Sequence, residues 1–314
     1  MIPFWLIFLV FVGFVLLLDL GVFNKNDHVI GVKEAIRWTI LWILVSLAFN
    51  VGIYFLYEYG LTEGPKGPVE GYEAALEYLT GYVIEKSLSL DNIFVMAAIF
   101  GYFKIPQIYQ HRVLFWGILG AIILRGIFIL GGTALILHFE WIMYVFGVVL
   151  IFSAAKMLFG KKNDETDLEK NGVVRFCKKF LPVTTRIEGH AFTVKENGKR
   201  FITPLFMALI VIESSDVLFA VDSIPAIFAV TLDPFIVFTS NIMAVLGLRS
   251  LYFALAAMLS KFSNLKYSII FILAFVGVKM LVADFWNFST IESLGIILAA
   301  LLAGILASVK NFSK

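Results

Sequence analysis

Nine stretches of this chain are apolar enough and long enough to be bilayer spans, and no other feature limits its fold so tightly. They lie near residues 2–23, 38–58, 73–101, 112–138, 141–159, 202–229, 234–259, 267–285 and 290–309. A hydrocarbon core about 30 Å thick asks for about 20 apolar residues per helix. Inside it every backbone N–H and C=O must pair within the protein, so runs of this length read as helices. Hydrophobic residues make up 60% of the chain and charged residues 15%. Soluble domains carry about 45–50% and about 25% respectively. The predicted class is an all-α polytopic membrane protein, against the alternative of one large soluble core. The run from Ile2 to Phe23 has neither a basic leader nor a small-residue cleavage site, so it reads as a retained first helix.

Basic residues set the orientation, because cytosolic connections are enriched in Lys and Arg. With the N-terminus outside and the C-terminus in the cytosol, nineteen basic residues fall on cytosolic connections. Ten of these lie in 160–201, and the outer connections carry only Lys66.

The remaining charges interrupt the spans, and they do so twice in one order. Glu85, Asp91, Arg125 and Lys156 are answered by Asp216, Asp222, Arg249 and Lys279. The spacings are 6, 34 and 31 residues in the first copy and 6, 27 and 30 in the second. Local text repeats as well: Leu124-Arg125-Gly126 against Leu248-Arg249-Ser250, and Ala155-Lys156-Met157-Leu158 against Val278-Lys279-Met280-Leu281. Each copy covers three spans, an odd number, so the second enters from the opposite side. Inverted repeats of this kind build many secondary transporters, with the site near the midplane between them. The expected organisation is two N-terminal helices (1–72), a first repeat (73–159), a cytosolic loop (160–201), a second repeat (202–285) and a last helix (286–314).

A charge at the centre of a membrane helix costs about 2.5–3.5 kcal/mol on insertion scales, so these groups must pair, bind something or face water. The candidate cation ligands are Glu85, Asp91, Asn92, Glu213, Asp216 and Asp222. Their carboxylate and amide oxygens suit hard divalent cations such as Mg²⁺, Ca²⁺ and Mn²⁺. Met96 and Met243 could add a soft sulfur, although Met in an apolar span usually packs. Glu85 and Asp91 are six apart and would point about 120° apart on a straight helix. A break at Ser87, Ser89 and Asn92 would bring them together. Pro225 cannot donate to the carbonyl of Val221, so a second break is expected near Asp222. Simple pairing with the four bases is the competing explanation. Arg125 and Arg249 are expected as fixed counter-charges, each for the acids of its own repeat. Lys156 and Lys279 are candidate gates or proton carriers, unless they reach to the interface. Glu70, Glu73 and Glu77 form an acidic rim at the outer end of the third span. Asp19 is expected at the interface, and Lys86 beside a neighbouring acid.

Asn197-Gly198 between Phe192-Thr193-Val194 and Arg200-Phe201-Ile202 predicts a β-hairpin in the long loop. Asp233-Pro234 predicts a helix N-cap followed by Pro at the first helical position.

The run Thr203-Pro204-Leu205-Phe206, Ile212-Glu213-Ser214-Ser215-Asp216 and Phe219-Ala220-Val221-Asp222-Ser223-Ile224-Pro225-Ala226 resembles the TerC family of membrane proteins. So do Asp233-Pro234-Phe235-Ile236-Val237, Thr239-Ser240-Asn241, Leu246 to Phe253, Glu85 to Asn92 and Asp19 to Phe23. The nine-span layout is similar to the family's Alx branch. The resemblance implies a multi-pass protein of the bacterial inner membrane linked to metal homeostasis, with Mn²⁺ export the leading expectation. The family is also named for tellurite (tellurium) resistance.

The expected function is thus a divalent cation exporter, with metal ions, protons and lipids as partners. The alternative is a membrane factor that assists folding or metal loading of exported proteins. The net charge of +2 gives no reason to expect a nucleic-acid partner. Cys177 is the only cysteine, which leaves no intramolecular disulfide or Cys-based metal site. An enzyme is not expected, since no Gly-x-Ser-x-Gly elbow or His-Glu-x-x-His is present. No organic cofactor is expected either. Export against about 100 mV costs about 4.6 kcal/mol for two charges. With no phosphate-binding Gly-x-x-x-x-Gly-Lys-Ser/Thr loop, protons carried on the same carboxylates are the expected coupling.

Overall fold

The computed structural model describes residues 2–18, 30–65, 67–159, 172–196, 198–256, 265–286 and 288–312. Asp19, the motif Asp19–Phe23, Lys66 and Asn197 lie outside them. The apolar runs form helices: α1 (Ile2–Leu18), α2 (Val32–Glu58), α3 (Gly71–Tyr102), α4 (Gln107–His138) and α5 (Ile142–Phe159). After the short α6 (Gly172–Phe180) and the strands β1 (Thr193–Glu196) and β2 (Lys199–Ile202) come α7 (Pro204–Phe228), α8 (Pro234–Leu246), α9 (Leu248–Ala256), α10 (Leu265–Leu281) and α11 (Thr290–Phe312). Among the described residues six segments are long and apolar enough to cross a membrane: α2, α4, α5, α7, α8 with α9, and α11.

The bundle is built around α8. Every residue of α8 from Phe235 to Leu246 is buried, so the helix touches protein on all sides. It packs against α3 and α4, and α3 also meets α2, α7 and α11, while α5 lies along α10. Asp233 starts α8 as expected: its carboxylate accepts from the N–H groups of Phe235 and Ile236, with Pro234 first in the helix. The other oxygen of Asp233 accepts from the Tyr57 hydroxyl at 2.7 Å, which ties the end of α2 to the start of α8. The outward faces are apolar, as with Val10 and Leu17 of α1, Ile127 of α4, Phe152 of α5 and Leu306 of α11. Aliphatic surface of this extent suits lipid rather than water.

The structure moves the expected breaks. α3 is continuous through Glu85, Asp91 and Asn92, and α7 runs through Pro225 to Phe228. The hydroxyl of Ser87 donates back to the carbonyl of Val83, four residues earlier, so this polar side chain is satisfied on an intact helix. Pro225 falls in the last turn of α7, where little helix remains to lose. The interruption lies instead at Gly247, between α8 and α9. There Lys86 donates to the carbonyl of Ala244 at 3.1 Å. Lys86 therefore caps the end of α8 rather than pairing with an acid.

The hairpin forms with Glu196 opposite Lys199 and Val194 opposite Phe201. Gly198 takes φ +77°, as this tight turn requires.

Candidate functional site

Arg125, in the middle of α4, is completely buried. A guanidinium has five N–H donors, and four of them are directed at side chains of three other helices. Nε and Nη2 form a fork on Asp216 of α7, at 3.1 and 2.8 Å. Nη1 donates to Glu85 of α3 in a close ion pair and to the side-chain oxygen of Asn241 of α8 at 3.0 Å. The amide of Asn241 then donates to the second Glu85 oxygen at 2.9 Å, and Ser89 donates to the first at 3.2 Å. Glu85, Arg125, Asp216 and Asn241 are thus one hydrogen-bonded knot that joins α3, α4, α7 and α8.

The local sequence makes this meeting possible. Gly81 stands one turn before Glu85, and a Cβ there would lie 2.8 Å from the Ser240 hydroxyl. Only glycine lets α3 and α8 come this close, and the contact sets Asn241 against Glu85. Glu213 precedes Asp216 by three residues and so shares its face of α7. Its carboxyl group lies over Gly120 of α4, where a Cβ would come within 2.2–2.5 Å of it. One oxygen of Glu213 is buried without a hydrogen-bond partner. Two carboxylates, Glu85 and Asp216, therefore share one guanidinium, and Glu213 adds a third carboxyl next to Asp216. Beside them Asn92 is buried and its side-chain oxygen has no partner. Asn92, Met96, Ser215 and Asp216 line a cleft of about 10 Å³, room for a single water-sized sphere. Met243, by contrast, is fully buried core.

Asp222 and Lys279 have their partners away from this knot. Asp222 lies about 9 Å further along the unbroken α7 and about 120° around it. It accepts from Ser153 of α5 at 2.6 Å, and Lys156 is its nearby positive charge. Asp91 is half-buried on α3, and Arg249 is buried at the start of α9. The expectation that each arginine serves the acids of its own repeat is corrected for Arg125, which holds Glu85 of the first copy and Asp216 of the second. Lys279 donates to Ser293 at 2.9 Å. Together with Glu73, Glu77 and Thr290 it lines a cavity of about 300 Å³. Glu70, the residue before α3, is exposed and takes no part in that cavity. Among the described residues no three of His, Cys, Asp and Glu converge tightly enough to enclose a metal ion.

Sequence reasoning did not select Asn241, Ser89 or Ser153 as site residues. Asn241 stood in a motif but, as a neutral amide in an apolar run, gave no charge signal.

Comparison with known proteins places the chain among membrane proteins. Residues 70–314 match the integral membrane protein TerC family. A protein of Myxococcus xanthus described as an uncharacterized membrane protein is 48% identical over 305 residues, 97% of this chain and 91% of the relative. A protein of Salmonella typhi named "Putative membrane-bound redox modulator Alx" is 47% identical over 278 residues, 88% of this chain and 84% of its own length. The protein of that name in Escherichia coli K12 is 44% identical over 299 residues, 95% of this chain and 91% of the relative. No solved structure matches the chain.

Proposed function

The chain belongs to the integral membrane protein TerC family, and from that premise we propose that it exports a hard divalent cation, Mn²⁺ first among them, across the bacterial inner membrane. The observation that carries this reading is the excess of buried carboxylate over buried guanidinium at the knot. Glu85 and Asp216 share Arg125, Glu213 stands beside Asp216 with one buried oxygen unpartnered, and Lys86 is turned to the carbonyl of Ala244. Buried anions in such excess either take up protons or attract a further cation.

In this arrangement Arg125 is the cargo's stand-in. Its guanidinium holds the oxygens that a metal would use. Loading requires Asp216 or Glu85 to release Arg125 and turn toward Asn92 and Glu213. The oxygen of Asn92 and one oxygen of Glu213 are already buried without partners. Asp91, Asp222 and Lys156 then serve the path to either side of the knot, not a single shared shell. The cavity at Glu73, Glu77 and Lys279 is the outer mouth, about 12 Å along α3 from Glu85, with Lys279 as its gate. The reading includes nine spans in two inverted three-helix repeats, with the N-terminus outside and the C-terminus in the cytosol. Protons arriving from outside neutralise the carboxylates and displace the metal outward. The site is a transport site, not an enzymatic one. The redox description borne by the Alx relatives would need, in this chain, chemistry other than an intramolecular disulfide, because Cys177 is its single cysteine.

The test is purified protein in liposomes under an imposed pH gradient. Mn²⁺ should move against the proton flow, and Mn²⁺ movement should shift internal pH the opposite way. Flux that ignores the gradient in both directions excludes proton coupling; an absence of any cation flux excludes transport itself.

A further inference from the structure

Helix α6 has three faces, one more than a helix lying on a soluble surface needs. At about 100° per residue, Val174 and Cys177 share one side. Both are buried, among Phe100, Ile202 and Leu205, where α6 docks on α7. Phe176 and Phe180 share a second side and are each 61% exposed. Their rings lie 4.7 Å apart and form one continuous apolar ridge. Arg175 and Lys179, four residues apart and both exposed, form a third side that flanks the ridge. The Lys179 ammonium lies 5.5 Å from the Phe180 ring. Lys178 faces the bundle, with its Nζ 3.4 Å from the Tyr102 hydroxyl.

The place of this helix decides what meets the ridge. Tyr102 is the last residue of α3 and Pro204 the first of α7, so α6 sits level with the ends of the long apolar helices. An apolar ridge bordered by bases at that level has the make-up of an interfacial helix: aromatic rings enter the acyl boundary while Arg and Lys stay with the headgroups. We infer that α6 is a membrane-surface anchor. Phe176 and Phe180 insert below the headgroups, and Arg175 and Lys179 bind the phosphates of anionic phospholipids. The inference rests on the membrane reading of the bundle and not on cation transport. Because α6 is joined through the hairpin to α7, the lipid surface would fix the end of the helix that carries Glu213 and Asp216.

The test places an environment-sensitive fluorophore on the ridge of the full chain, using Phe180→Cys in a Cys177→Ala background and, separately, Phe176→Cys. The proteins are reconstituted into phosphatidylcholine vesicles with or without phosphatidylglycerol, each containing lipids spin-labelled high on the acyl chain. Quenching is expected at both positions and should be stronger with phosphatidylglycerol. Charge reversal at Arg175→Glu and Lys179→Glu should remove the phosphatidylglycerol effect, a loss of lipid preference of about tenfold or more. Two positions guard against one variant failing to fold. A fluorophore unquenched at both sites in both vesicles overturns the anchor. Quenching that is equal in both vesicles and indifferent to the charge reversals overturns the anionic headgroup assignment.

Discussion

Arg125→Ala tests the knot most severely. The guanidinium is fully buried and donates to Glu85, Asn241 and both oxygens of Asp216. Its removal leaves two carboxylates and one amide without their main partner in an apolar bundle. Breaking a buried pair from one side costs about 3–5 kcal/mol. At roughly 2 °C per kcal/mol for a chain of this size, the melting temperature in detergent should fall by about 6–10 °C. Asp216→Asn alone keeps the shape and removes one charge, so Arg125→Ala with Asp216→Asn should be more stable than Arg125→Ala alone. The regained stability should be on the order of half the loss, since only Glu85 is then left uncompensated. The assay is a thermal unfolding cycle on the four purified proteins in one detergent. An Arg125→Ala protein that melts within about 2 °C of the parent, which is about 1 kcal/mol, would falsify the view that these charges are held as one knot. Strictly additive effects of the two changes would also remove the claimed coupling.

Three further outcomes follow from neighbouring contacts. Asn241→Leu strands a donor of Arg125 and an oxygen of Glu85, so it should cost about 1–3 kcal/mol and slow cation flux; a variant with unchanged melting and flux would show that the amide is incidental. Gly120→Ala drives a methyl group into the Glu213 carboxyl, where the available gap is 2.2–2.5 Å. It should destabilise by about 1–3 kcal/mol through overpacking, and Gly120→Ala with Glu213→Ala should recover most of that in the same melting assay. Asp222→Asn keeps an acceptor for Ser153 and should change stability by less than about 1 kcal/mol yet lower Mn²⁺ flux; full flux would take Asp222 off the path.

The charged residues were legible because hydropathy exposes them. Glu85, Arg125 and Asp216 stand out in apolar runs, and the structure brings these three together. Asp233-Pro234 and the hairpin were legible from short-range capping and turn chemistry. What failed was the step from polar residues to a broken helix. Ser87 satisfies itself on the carbonyl of Val83, and Pro225 sits too near the end of α7 to interrupt it. Without a break, six residues carry Asp222 a third of a turn away from Asp216, so the single five-acid shell dissolves. The interruption at Gly247 left no signal stronger than one glycine among apolar residues, and its partner Lys86 lies 161 positions earlier in the chain. Asn241 was hidden for a related reason: an amide between α3 and α4 gains meaning only when both are packed on α8.

The central claim is that the oxygens now held by Arg125 are those that carry the cation. Mn²⁺ flux through Asp216→Asn, measured beside the parent protein in liposomes of equal protein content and with the fold checked by melting, tests it most directly. The account predicts flux in the parent and none above protein-free liposomes in the variant, with the variant still folded. A folded Asp216→Asn protein that moves Mn²⁺ at the parent rate would contradict it.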